Sequence, residues 1–215
     1  KHTGTAIRIY EGEIAATGGN YAAGIGGGNS SGSLASGDTP SIEIFGGRIT
    51  ARGGTNAAGI GSGYMCNNSN PAVTISGGTV VATAGGTTPT VCDIGFGVPN
   101  TTHDKVERPN IFGGASIHAT TRTAENGRIA PQPVDDAGNA VYCVIVEELG
   151  NNTLVEVKFP DRAVLGSGIY SDAEGKIYLW LPNGKHVFYV DDQPYCAIVE
   201  DADAVATEWY TGVLA

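Results

Sequence analysis

The densest group of reactive side chains in this 215-residue sequence is His103-Asp104-Lys105-Val106-Glu107-Arg108. Base, acid and cation together are what glycosidic-bond cleavage requires: carboxylates to move protons and a positive group to offset developing charge. A polysaccharide-active site, however, needs its carboxylates at matched places on neighbouring segments. The other acids of the first 130 residues (Glu11, Glu13, Asp38, Glu43, Asp93 and Glu125) do not recur in that way. His103, Asp104, Glu107 and Arg108 therefore read as a solvated charged loop, and no catalytic residue is expected. Metal binding is equally thin. Asp38 with Asn29 and loop carbonyls could offer oxygen ligands to Ca²⁺, but neither a D-x-[DN]-x-[DN]-G run nor a Gly-Gly-x-Gly-x-Asp nonapeptide occurs. No Cys/His cluster offers zinc a site. The expectation is no metal and no cofactor.

Aromatic side chains give a different candidate. Tyr10, Phe45 and Phe112 recur beside a glycine turn, with Ser76 interrupting the row. Strand alternation points all of them outward, where rings can stack on sugars and a regular row suits an extended polymer. They are the candidate glycan-binding residues; the competing reading is that a loop or the second half of the chain covers them. Trp180 and Trp209 face the same choice, with core packing the default for Trp180. Cys143 and Cys196 lie in the matching contexts Tyr-Cys-Val-Ile-Val-Glu and Tyr-Cys-Ala-Ile-Val-Glu. They are either a disulfide, in an oxidising compartment, or two buried thiols. Cys92 fits an inward core position, and Cys66 a loop.

The elements that would position these groups come from an internal repeat. Aligned on their turns, four segments read Ile7-Arg8-Ile9-Tyr10-Glu11-Gly12, Ile42-Glu43-Ile44-Phe45-Gly46-Gly47, Val73-Thr74-Ile75-Ser76-Gly77-Gly78 and Ile111-Phe112-Gly113-Gly114. Ile14, Ile49, Val80 and Ile117 then fall at one equivalent place. A second block follows in three of them: Ala22-Ala23-Gly24-Ile25-Gly26, Ala57-Ala58-Gly59-Ile60-Gly61 and the weaker Val91-Cys92-Asp93-Ile94-Gly95. Apolar and polar residues alternate within each stretch, the period of a strand with one buried face. Three short strands and three turns per repeat describe one coil of a triangular tube, in which Ile stacks on Ile and Ala on Ala.

Charge divides the chain near residue 130. Residues 1–130 hold 26 of the 33 Gly and balance 8 Lys/Arg against 8 Asp/Glu, whereas residues 131–215 hold 4 against 14 and so carry the whole net −10. An acidic half without any basic stripe argues against nucleic acid. No apolar run reaches the length of a membrane span. Pro131-Gln132-Pro133-Val134-Asp135-Asp136-Ala137 reads as a linker or a first edge. Strand-like runs follow at 140–147, 153–159, 176–181, 185–190 and 195–200, with Pro182-Asn183-Gly184 as a hairpin turn. The expected architecture is all-β: a parallel β-helix of about three and a half coils over 1–130, a small antiparallel β-sandwich over 131–200, and a tail or linker over 201–215.

The pattern G-G-x-[IV]-x-A followed by A-A-G-I-G-x-G resembles right-handed parallel β-helix repeats of bacterial secreted and cell-surface proteins. The run 172–185 resembles Cna-B-like or prealbumin-like modules, whose Lys–Asn cross-link is not carried over because 140–147 contains no Lys. These resemblances imply a non-catalytic extracellular module of a larger surface protein, serving as adhesin, stalk segment or glycan-binding domain. The implied partners are a polysaccharide or cell-surface glycan and other domains of the parent chain. The alternative is a polysaccharide lyase or glycoside hydrolase fragment. An open coil end would expose unpaired strand edges. Further coils or another domain are therefore expected ahead of Lys1, with the sandwich shielding the other end.

Overall fold

Alternating short apolar stretches and glycine turns leave the chain little but strands to form, and a computed structural model shows an all-β molecule. It describes residues 6–29, 40–66, 73–86, 91–98, 109–119, 132–160 and 168–208. Three parallel sheets run the length of a tube. The first stacks β1 (Ala6–Ile9), β4 (Ser41–Ile44), β7 (Val73–Ile75) and β10 (Ile111–Phe112). The second stacks β2 (Glu13–Thr17), β5 (Arg48–Arg52), β8 (Thr79–Thr83) and β11 (Ser116–His118). The third stacks β3 (Ile25–Gly26), β6 (Ile60–Gly61) and β9 (Ile94–Gly95). Register is one coil on the next: Ile14 lies on Ile49, Ile49 on Val80 and Val80 on Ile117. Ile42, Ile44, Ile49, Ile60, Val73, Ile75 and Val80 are fully buried. Each such side chain contributes roughly 1.5–3 kcal/mol on leaving water. This column of side chains holds the tube together.

Glycine permits the coils to approach. Gly61 has φ +134°, and a Cβ there would lie 1.9 Å from the Gly95 carbonyl oxygen of the next coil. Asp93 replaces the glycine of this block in the third coil, the last to contribute a strand to the third sheet among the described residues. Gly24 and Gly59 hold the same place in coils one and two, where a Cβ would meet the next coil's Arg52 and Thr83 amides. The Asp93 carboxylate instead accepts the Ala84 N–H at 2.6 Å.

The first strand of the fourth coil departs from the expected register by one residue, while its second keeps Ile117 on Val80 as expected. Phe112 pairs with Ile75 and Ile111 with Thr74, so Phe112 takes the inward place and Ile111 the outward one. Asn110 falls inward above Val73, buried, its side-chain amide donating to the Ile94 carbonyl at 3.1 Å. A one-residue slip turns every side chain to the other face. Phe112, expected outside, is 1% exposed.

The acidic half is a sandwich. One sheet orders β16 (Ile177–Pro182), β12 (Val141–Val146) and β19 (Ala204–Val205); the other orders β14 (Val157–Lys158), β17 (Gly184–Val190), β18 (Gln193–Val199) and β20 (Thr207–Glu208). β13 (Leu154–Val155) pairs with β15 (Ile169–Tyr170) at the side. Val144, Val146, Ile177 and Leu179 from the first sheet meet Phe188, Val190, Ala197 and Val199 from the second in one core. Three expectations change. β19 runs parallel to β12, so the first sheet is mixed. β19 and β20 lie within 201–215, the stretch expected to be tail, and close both sheets. Pro182-Asn183-Gly184 is no hairpin turn: β16 and β17 belong to different sheets, and the triplet is the corner where the chain crosses between them. The tight hairpin is β17–β18, where Asp191 and Asp192 both take positive φ (48° and 65°) between the paired Val190 and Gln193. Two successive left-handed residues suit the twist of a two-residue loop.

The sandwich shields the far end of the tube, as expected. Val141, Trp180 and partly buried Cys143 belong to the tube's own apolar cluster, while Val144 and Leu179 face the sandwich core. The β16–β12 sheet is thus shared by both halves. Val134, read in sequence as linker or first edge, bridges to Ile111 in parallel and Ala140 in antiparallel.

Candidate functional site

Three places gather side chains with chemical potential: the first corner of coils one and two, the flank where the sandwich meets the tube, and a cavity at the junction.

At the first corner Tyr10 and Phe45 are 65% and 42% exposed. Their centroids lie 5.1 Å apart with the planes 11° from parallel. The coil rise therefore stacks ring on ring, and each occupies one face of the other. What remains is the outer face of Tyr10, the far face of Phe45 toward the Ser76 coil, and the ring edges. Phe112 is absent from this row. It packs edge-on against Trp180, centroids 5.0 Å apart at 71°, inside the tube end. Of the three candidate glycan-binding residues, two share a surface and the third is core. Beside them Arg8 Nε donates to Glu43 Oε2 at 2.7 Å, an exposed pair bridging two coils.

The flank rests on one outward column of the second sheet, formed by Glu13, Arg48, Thr79 and Ser116 in register. The Tyr178 N–H donates to Ser116 Oγ at 3.0 Å, and the Tyr170 N–H to Thr79 Oγ1 at 2.6 Å. Arg48 Nη2 donates to Asn152 Oδ1 at 2.8 Å, and its guanidinium lies 5.5 Å from the centre of the Tyr170 ring. The Trp180 indole N–H closes on the Ile117 carbonyl at 2.9 Å. Sequence reading missed this column because Glu13, Arg48 and the two hydroxyls follow no single chemistry along it. Their common place in the repeat was the available signal.

A chain of polar groups runs off this flank. His118 stacks on Tyr178 at 4.2 Å, and the Tyr178 hydroxyl donates to Asp172 Oδ2 at 2.7 Å. Burial, then Asp172, pushes the Tyr178 phenol above its usual range. That is the reverse of what a tyrosine base requires. Burial opposes charge on Asp172, but hydrogen bonds from the Tyr178 hydroxyl and the Lys176 and Glu174 amides prevail, holding the carboxyl below its ordinary range.

The cavity, about 440 Å³, opens between the last coil and the sandwich. Phe112, Trp180 and Phe159 supply apolar wall, and Asp135, Asp136 and His186 the polar side chains. Asp135 Oδ1 is engaged by the Ala137 and Asn139 amides at 2.9 and 2.8 Å, which fixes the rim loop.

The remaining sequence candidates separate. His103, Asp104, Glu107 and Arg108 lie outside the described residues, as do Asp38 and Trp209. Among the described residues no group of three His, Cys, Asp or Glu is placed to hold a metal. Cys143 and Cys196 are both free thiols. Cys143 faces the tube from one sheet, while Cys196 alternates with the core-facing Tyr195 and Ala197 on the other. The sandwich core stands between them, which rules out the disulfide reading. Burial, then Asp203, raises the Cys143 thiol pKa to about 12. Cys66 and Cys92 are buried.

This geometry is that of a parallel β-helix closed at one end by a β-sandwich. Its repeats match the family model described as Beta helix repeat over residues 7–29, 42–64 and 73–89, so the likeness belongs to the first three coils. No curated protein and no solved structure matches the chain.

Proposed function

We propose that this protein is a non-catalytic extracellular module of a larger surface protein, acting as a rigid stalk or adhesin segment. The observation that carries the reading is the shared β16–β12 sheet, one face of which completes the tube core and the other the sandwich core. With the Arg48–Thr79–Ser116 column beside it, the described residues of the two halves pack as one continuous body. Such a body transmits position and force. Among the described residues, the outward acids of the tube also favour a non-catalytic role: Glu11 and Glu13 flank one turn of the first coil, Glu43 stands on a different sheet from Glu13, and Glu43 is held by Arg8.

A second reading, glycan recognition, draws on the junction cavity. Its size falls within the roughly 300–1,000 Å³ of small-ligand pockets, and it lies where two folding units meet, a preferred place for them. Small-angle scattering with a glycan array separates the readings. The stalk reading expects one rigid envelope and no specific glycan. Binding abolished by Asp136→Ala would move the function to the cavity, and binding abolished by Tyr10→Ala to the aromatic corner. Release of reducing ends or unsaturated sugars from a polysaccharide would replace both readings with an enzyme.

A further inference from the structure

The two ends of the tube are not alike. The sandwich seals one, whereas the outer edges of β1, β2 and β3 pair with no strand among the described residues. Behind those edges Ile7, Ile14 and Ala16 are only partly buried and Ile9 and Ile25 keep slight exposure, while their equivalents Ile42, Ile49, Ala51, Ile44 and Ile60 in coil two are closed off. This end continues the inter-coil interface already repeated along the tube, with the same apolar positions and the same free backbone groups.

The glycines say what fits there. In coil two, a Cβ on Gly54 would lie 1.8 Å from the Gly19 carbonyl oxygen, and one on Gly63 would lie 2.3 Å from that of Gly28. Coil three repeats both: Gly85 against Gly54 at 1.8 Å, and Gly97 against Gly63 at 2.5 Å. These positions are glycine because the backbone of the preceding coil passes through the space a side chain would fill. Gly19 and Gly28 hold the same places in coil one, yet a Cβ on either meets nothing within 4 Å among the described residues, and neither has positive φ. Neither neighbour nor backbone conformation demands glycine there. A backbone arriving on this face would.

We infer that the β1–β2–β3 end is a docking face for one further β-helical rung, stacked in parallel and crossing Gly19 and Gly28 with its turn carbonyls. A second copy of this chain does not supply that rung, since the sandwich closes the matching end and the two open ends meet only antiparallel. The first corner sets a limit. Glu11 stands where Gly46 and Gly77 clear the previous coil, with Cβ positions 2.6 and 2.2 Å from the Tyr10 and Phe45 carbonyl oxygens. The arriving rung must therefore pass wider at that corner than coils two and three do. This inference is independent of the stalk reading.

The test supplies a rung of known sequence. A copy of residues 41–71 is inserted between Thr5 and Ala6 of the full chain, and amide exchange and thermal unfolding are compared with and without it. The inserted rung is expected to protect the β1 and β2 amides and raise Tm. Gly19→Ala and Gly28→Ala should leave Tm of the 215-residue chain unchanged or slightly higher, and lower Tm of the extended chain by at least about 5 °C. Glu11→Gly should raise Tm only in the extended chain. An inserted segment that exchanges freely, or glycine substitutions with equal effect in both backgrounds, overturns the proposal.

Discussion

Phe112 provides the sharpest test of how the last coil is seated. In the expected register it belongs to the outward row with Tyr10 and Phe45; in the structure it is 1% exposed and packs edge-on against Trp180. The two placements differ in energy. Truncating a buried Phe to Ala costs roughly 3–5 kcal/mol through lost burial and the cavity left behind. Truncating the exposed Phe45 removes little more than its stacking on Tyr10, about 0.5–1.5 kcal/mol. At roughly 2–4 °C per kcal/mol for a chain of this size, Phe112→Ala should lower Tm by about 6–20 °C and Phe45→Ala by no more than about 6 °C. Equilibrium urea unfolding followed by circular dichroism and tryptophan emission measures both, since Trp180 lies against the altered site. Because Phe112 and Trp180 come from different halves, the loss should appear in one cooperative transition. Equal costs for the two variants would show that the first strand of the fourth coil sits one residue from the position described.

Further consequences can be measured directly. Ser116→Ala strands the Tyr178 N–H at the junction and should cost about 1–3 kcal/mol, as an unsatisfied buried donor does; Ser116→Thr, which keeps the oxygen, should cost less by the same urea assay. Under native, non-reducing conditions peptide mapping should find Cys143 and Cys196 unlinked, and Cys143, its thiol pKa raised to about 12, should resist alkylation at neutral pH; a 143–196 cross-link would contradict the sandwich topology. Asp172 titrates below its unfolded value of about 3.9, so the unfolded chain binds its proton first as pH falls. Its stabilisation is complete above that value and is lost as pH drops through the lower, folded one. Tm should therefore fall as pH drops below about 4, less steeply in Asp172→Asn, and an identical slope in the two proteins would remove Asp172 as the cause.

The first three coils were legible because each inward residue is confirmed by its neighbours: Ile7, Ile42 and Val73 repeat the same alternation and the same turn. The first strand of the fourth coil was not, although Ile117 falls on Val80 as its place in the repeat predicts, because Gly113-Gly114 matches Gly46-Gly47 as well as it matches the turn one residue away. What decides between them is Trp180, distant in sequence, whose ring needs Phe112 inside. Pro182-Asn183-Gly184 misled for a related reason. Its residues favour a reversal, but reversal within a sheet and crossing between sheets look alike locally, and the pairing of Gly184–Val190 with Gln193–Val199 settles the matter. Asp191-Asp192, the actual tight turn, carries no glycine to announce it. The flank column was illegible since an arginine and two hydroxyls are lined up by nothing but their shared place in the repeat. The cavity needed both halves to be placed before it existed.

The flank column has a mechanical meaning. Its contacts reach back from Ser116 in the fourth coil to Arg48 in the second, so the sandwich grips the side of the tube over several layers as well as its tip. A pull along the tube loads those bonds together in shear, whereas a tip-only attachment would peel them one at a time. The joint should therefore yield no earlier than the coils themselves.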